Sequence, residues 1–183
     1  MDNIRALSQL GRRICIMGPS NAGKSTLTEA LSKTLGVPAV FLDQLHHLPH
    51  TNWQPRPTPE FHALQLAALE APAWIMDGNY SALLPERLAR ATGAIVLDDG
   101  RWARLARYFR RTLLQSYRAG NLEGNKDSIK WSMIHWILVG SRHNGPRYRQ
   151  FVESADLPHV FCSSMTEVKA LYRNWGLTPP TQV

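Results

Sequence analysis

A chain of 183 residues with 44% apolar residues is long enough for one domain with a full core, and its composition is that of a globular protein. No apolar run approaches the roughly 18 residues that a membrane span needs. The N-terminal stretch MDNIRALSQLGRR lacks the apolar run of a signal peptide, so a cytoplasmic protein with no membrane partner is expected. The net charge of +7 is concentrated, because residues 101–149 hold 11 Lys or Arg against 2 Asp or Glu.

The predicted elements alternate strand and helix. Arg13–Met17 reads as a short strand, followed by a glycine-containing loop and a helix that Lys24 opens and Gly36 ends. PAVFLD (38–43) reads as a second buried strand ending in Asp43, and residues 44–57, rich in Pro, His and Trp, as a loop. Thr58-Pro59-Glu60 has the form of a helix start, with a cap, a proline in the first turn and an acid near the positive helix end. AWIMD (73–77) is a third strand, Pro85 begins a short helix, AIVLDD (94–99) is a fourth strand, and 101–119 are helix. PHVF (158–161) is a fifth strand. The last helix lies within 163–175, with Ser164 as cap and Glu167 three residues on. Residues 120–156 contain the Trp-rich stretch IKWSMIHWILVG and are expected to be helical. Near-continuous apolar strands separated by helices imply an α/β fold with a parallel sheet covered on both faces. Cys15 and Cys162 fall in or beside buried strands, and are expected to be small core residues rather than a disulfide.

The chemistry begins at ICIMGPSNAGKSTL, residues 14–27. It contains G-x-x-x-x-G-K-[ST] between a strand and a helix, the context that a phosphate-binding loop requires. Gly18 and Gly23 let the backbone turn around oxygens, with Pro19, Ser20, Asn21 and Ala22 between them. Amides from about Asn21 to Ser25 then face a phosphate at the helix N-terminus. Lys24 is placed to reach β- and γ-phosphates, Ser25 to ligate Mg²⁺, and Thr26 to lie near the α-phosphate. A second metal-shell acid is expected at a strand end. Asp77 and the Asp98-Asp99 pair are candidates, and Asp77 is preferred because its strand should neighbour the loop strand.

A GTPase would carry N-K-x-D after an apolar strand. Asn125-Lys126-Asp127 has its acid one position early, in a polar setting. At about 100° per residue, Arg104, Arg107, Arg111 and Arg118 share an arc of roughly 60° on the helix after Asp99. Guanidinium groups suit bidentate phosphate contact and stacking on a base. Two readings of this basic segment compete, a lid closing over phosphates and a nucleic-acid patch, beside the plain alternative of a solvated face.

The loop GPSNAGKS, the strand end FLD, the segment WIMDGNYS, and LDDGRW with its arginine helix resemble the P-loop small-molecule kinases. The likeness is greatest to the adenylate-kinase-like group labelled DNA topology modulation protein, or FlaR-like, and covers roughly residues 12–175. It implies a P-loop NTPase fold with a five-stranded parallel sheet in the order 2-3-1-4-5, one domain over residues 1–183, an acceptor region at 44–70 and a lid at about 110–150. It also implies ATP with Mg²⁺, Arg107 near adenine, and Arg111 on phosphates. Catalysis would then rest on Lys24, Asp77, Arg107, Arg111 and Asp43. Adenylate kinases follow their Asp-Gly with an aromatic residue, Pro and Arg. Here Asp77-Gly78-Asn79-Tyr80 follows, and the next arginine is Arg87. A carboxylate at Asp43 suits a hydroxyl acceptor, whose proton it can take. The acceptor is therefore expected to be a small molecule contacted by Asp43, Gly78, Asn79, Tyr80 and Arg87, with Trp53 and Arg56 in the same region. Trp53 either stacks on a substrate ring or anchors its loop. His46, His47 and His50 are read as loop residues near the acceptor rather than as a metal cluster.

Overall fold

The computed structural model describes residues 5–114, 120, 131–141 and 144–179, apart from the side chains of Arg111 and Leu114. A 3₁₀ turn, Leu7–Leu10, leads into β1 (Arg13–Met17). The elements that follow are α1 (Lys24–Leu35), β2 (Ala39–Phe41), α2 (Leu42–His46), α3 (Thr58–Leu69), β3 (Trp74–Asp77), α4 (Leu84–Arg90) and β4 (Gly93–Leu97). After them come α5 (Arg101–Leu114), α6 (Trp131–His135), a π-helical turn (Trp136–Gly140), α7 (Asn144–Ser154), β5 (His159–Cys162) and α8 (Met165–Asn174). The strands form one five-stranded parallel sheet in the order β2-β3-β1-β4-β5, as expected.

The strands read as continuous apolar runs because both faces of the sheet are covered. In β1, Ile14 and Ile16 join Leu27, Leu31, Val168 and Leu171 in the core beneath α1 and α8. The alternate residues Cys15 and Met17 join Leu42, Leu84, Tyr148 and Val152 on the opposite face. Thus α1 and α8 cover one face, while α2, α4 and α7 cover the other. Both cysteines are buried and free.

Helix ends follow local chemistry in two places. Gly36 takes the left-handed conformation that ends α1. At α8, the Ser164 side chain accepts from the Glu167 amide at 3.2 Å, and Glu167 reaches back to the Ser163 amide at 2.6 Å, a capping box displaced by one residue. Other boundaries differ from expectation. β2 stops at Phe41 and Asp43 lies in the first turn of α2, so part of the presumed loop is helical. Leu42 and Leu45, three residues apart, both turn into the core below the sheet, a helical spacing that begins inside the apolar run PAVFLD and continues two residues beyond it. β4 ends at Leu97, before the acidic pair. Thr58 is the first residue of α3 rather than its cap, and no side chain caps that helix. From Trp131 on, the Trp-rich stretch is helical, with a π turn following its first α-helical turn. Residues 115–119 and 121–130, which hold Arg118 and the Asn-Lys-Asp sequence, lie outside the described residues, as does the Arg111 side chain. Among the described residues, no helix is long and apolar enough to cross a membrane.

Candidate active site

The loop after β1 is built by conformation. Gly18 has φ +140°, Asn21 +63° and Gly23 +92°, so the chain curls before α1 begins and turns that helix's N-terminus towards the cavity. Gly18 also passes tightly over β4. The Lys24 ammonium donates to the Pro19 carbonyl at 3.2 Å across the loop mouth.

Strand register brings the acid to the loop. Ile16 pairs with Asp77 across β1 and β3, which sets the last residue of β3 beside the start of the phosphate loop. There Ser25 Oγ donates to Asp77 Oδ2 at 2.6 Å. Asp98 instead faces α7, where a Cβ on Gly145 would fall about 2 Å from its carboxylate. Asp77 is thus the acid in contact with the loop serine.

The Asp77-Gly78-Asn79-Tyr80 segment is fixed by donors to three successive carbonyls. Arg87 donates to Gly78 O at 3.2 Å and to Tyr80 O at 2.8 Å, and Tyr148 Oη donates to Asn79 O at 3.2 Å. The Asn79 side chain accepts from Gly18 N at 3.2 Å and donates to Gly18 O at 2.7 Å. Its amide therefore clasps the phosphate loop rather than reaching freely for an acceptor. Gly78 has φ +147° and lies where a Cβ would meet Leu42, which explains the glycine.

Arg87, expected at the acceptor, does not line the cavity. It is 1% exposed, and its two terminal nitrogens donate to the two carbonyls. Arg87→Lys keeps the charge but cannot bridge both acceptors. We expect a loss of about 2 kcal/mol in urea unfolding. A variant as stable as the wild type would contradict the clasp.

Across the cavity, Tyr80 Oη donates to Asp43 Oδ1 at 2.7 Å. Burial, and then the neighbouring Asp43 carboxylate, push the Tyr80 pKa far upward, so the phenol keeps its proton and acts as donor. The His46 ring lies 4.7 Å from that of Tyr80 and 4.9 Å from that of Phe61. Burial and the nearby His47 lower its pKa, so it packs as a neutral ring. Among the described residues, no group of three His, Cys, Asp or Glu could hold a metal ion. Trp53 packs edge-on against His47 at 5.3 Å. Arg56 donates to Leu45 O at 3.0 Å and pairs with Glu60 at 2.6 Å. Neither lines the cavity; both make contacts that fasten the segment between α2 and α3.

The arginine rail is divided by packing. Arg104 is buried, donating to Asp99 O at 3.1 Å and to Ser141 Oγ at 2.8 Å. Arg107 pairs with Asp99 and donates to Asn21 O at 2.8 Å. Trp136, on the π turn, donates to Ser20 Oγ at 3.2 Å. The turn allows this because a Cβ on Gly140 would meet the Trp136 ring at 2.3 Å. α5 and the Trp-rich segment therefore both hold the tip of the phosphate loop. The sequence reading missed Trp136, Tyr148, Arg110 and Arg147, all of which line the cavity. Arg110, one turn beyond Arg107, was the most accessible of these to periodicity.

One cavity of about 890 Å³ joins these parts. It is lined by loop residues Ser20 to Thr26 other than Ala22, by Asp43, by Asp77 to Ser81, and by side chains of α5, α7 and α8. Sheet order and loop define a P-loop NTPase fold of the kinase type. Solved structures agree with that class. A "putative kinase" from Chloroflexus aurantiacus superposes with a TM-score of 0.54 at 16% identity, covering 90% of this chain and 96% of that one. A gluconokinase from Sinorhizobium meliloti gives 0.52 at 14% identity, with 91% and 90% covered. No family model and no curated relative matches the chain.

Proposed function

We propose that the protein is an ATP-dependent phosphotransferase, adenylate-kinase-like in design, that moves the γ-phosphoryl group of ATP to a hydroxyl group of a small metabolite. One observation carries this reading: the phosphate loop, the Ser25–Asp77 pair and the Asp43–Tyr80 pair line the same cavity.

Residues Gly18 to Thr26 would cradle the triphosphate with backbone amides, and Lys24 would release Pro19 to meet the β- and γ-phosphates. Ser25 and Asp77 present hard oxygen donors, which fit Mg²⁺. The ion, when bound, supplies charge neutralisation on the phosphate oxygens. Arg107 stands at the loop tip, where a guanidinium can stabilise charge on the transferring group. Tyr80 holds the Asp43 carboxylate beside the acceptor. In the transfer, the acceptor oxygen bonds to the γ-phosphorus and its proton passes to Asp43. The bond from that phosphorus to the β-bridging oxygen breaks, and ADP leaves with the electron pair. Phosphoryl transfer is mostly positioning and charge stabilisation, so one aligned base and a rigid cradle suffice.

Membership of the FlaR-like group, a cytoplasmic location and a role for Arg111 belong to this proposal. The D-G-N-Y segment and Arg101-Trp102 after β4 support the first. A nucleic-acid partner is less favoured, because Arg104 is buried and Arg107, Arg110 and Arg147 face the cavity. The test is ADP release with Mg²⁺ across a panel of nucleosides, nucleotides, sugars and sugar acids, with Lys24→Met as control. Acceptor-dependent release that Lys24→Met abolishes is expected. No stimulation across the panel, or release that depends on DNA instead, would sink the proposal.

A further inference from the structure

We infer that the acceptor is an anionic hydroxy compound, with its hydroxyl at Asp43 and a carboxylate or phosphate group held by Arg147. The inference rests on the phosphotransfer reading and adds the chemical class of the second substrate.

The argument starts from where the cavity's cations are spent. Lys24 bonds the loop carbonyl of Pro19, Arg107 is paired with Asp99, and Arg110 lies on α5 about one turn beyond Arg107, whose guanidinium bonds the phosphate loop at Asn21 O. Arg147 also lines the cavity, yet among the described residues its guanidinium has no hydrogen bond or ion pair. It lies over the Phe151 ring, 5.4 Å from its centroid. A ring face orients a guanidinium and leaves its five donors available.

Its position assigns it to the acceptor. Arg147 is on α7, next to Tyr148, whose hydroxyl bonds Asn79 O in the segment that carries Tyr80. Tyr148 packs in the same cluster as Leu42, which precedes Asp43, and Tyr80 packs against that cluster. The α8 cations Lys169 and Arg173 reach the cavity from a helix on the other face of the sheet. The acceptor side thus offers the Asp43 carboxylate, already oriented by Tyr80, and the Arg147 guanidinium, which has no hydrogen bond or ion pair among the described residues. A neutral acceptor would leave that cation unmatched. A nucleophile carrying its own carboxylate or phosphate would satisfy both groups and be fixed at two points, which is what phosphoryl transfer demands. With the anion at Arg147, its charge would sit at the far end of the acceptor from the Asp43 carboxylate, which would otherwise repel it.

Two matched probe series separate charge from shape: glycerol, D-glycerate and glycerol 3-phosphate, and glucose, gluconate and glucose 6-phosphate. Binding is measured by calorimetry without nucleotide, and transfer is followed with γ-labelled ATP. At least one anionic member should bind at least tenfold tighter than its neutral partner. Arg147→Gln should raise Kd and KM for that member about 10- to 100-fold, with KM for ATP changed less than threefold. Arg147→Lys should recover part of the loss. Arg101→Gln, at an exposed arginine resting on Trp102, should change nothing. Carboxylate and phosphate arms identify which anion is used. Equal binding of neutral and anionic members, binding by none, or an Arg147→Gln effect on ATP alone overturns the inference. Anion binding that Arg147→Gln removes, without any transfer, would support the site and sink the phosphotransfer reading instead.

Discussion

Replacing Asp43 by Asn should lower kcat by about 10²- to 10⁴-fold with the best acceptor, while KM for ATP stays within a few-fold of wild type. The substitution is nearly isosteric. Tyr80 can donate to the amide oxygen as it does to the carboxylate at 2.7 Å, so the loop and the α2 turn should keep their places. What is lost is the ability to take a proton from an attacking hydroxyl. The effect should therefore appear in kcat and leave the unfolding midpoint unchanged. Tyr80→Phe is the companion: it keeps the base and loosens its orientation, so a smaller loss of about tenfold is expected. Steady-state kinetics on both variants decide the matter. An Asp43→Asn protein that phosphorylates its acceptor at the wild-type rate would show that no base is used at this position.

Gly18→Ala should destabilise the protein by about 4 kcal/mol and abolish nucleotide binding, whereas Gly23→Ala should cost only about 1–2 kcal/mol. Both glycines have positive φ, at +140° and +92°, but their surroundings differ. A Cβ on Gly18 would lie 2.0 Å from the carbonyl oxygen of Leu97, an atom of β4 that cannot move without breaking the sheet. A Cβ at Gly23 meets nothing within 4 Å, so only the backbone conformation opposes it. Displacing Gly18 would also break its two hydrogen bonds with Asn79, and with them the link between loop and acceptor segment. Urea unfolding and ADP binding on the two variants test the distinction. Equal losses would show that φ alone explains both glycines.

Where the physics was local, the site could be read from the chain. The loop from Gly18 to Ser25 announces itself because tight curvature, phosphate amides and a helix start each demand particular residues at fixed spacing. The strands were legible because burial on both faces leaves continuous apolar runs, and their order followed from the likeness to P-loop kinases. Asp77 was preferable to Asp98 because β3 was expected beside β1, and the Ile16–Asp77 register with the 2.6 Å contact to Ser25 accords with that. Leu42 and Asp43 were misread as strand, since Leu42 closes an apolar run that suits either element and its helical partner Leu45 lies beyond that run.

Roles that depend on which partner folding brings to a side chain were hidden. Arg87 read as a substrate arginine, yet it is buried beneath Gly78 and Tyr80, and nothing in the sequence near residue 87 signals those carbonyls. Asn79 read as an acceptor contact, but its partner is Gly18, 61 residues away. Arg104 and Arg107 were expected on one helix face, yet burial sends Arg104 to Ser141 while Arg107 reaches Asn21. The sequence by itself therefore determined the phosphate-loop end of this protein, where backbone conformation and one motif carry the chemistry. Only the tertiary structure decided the end that we propose receives the acceptor, where α2, α7 and the D-G-N-Y segment meet, because each group there takes its position from the partner that folding sets beside it.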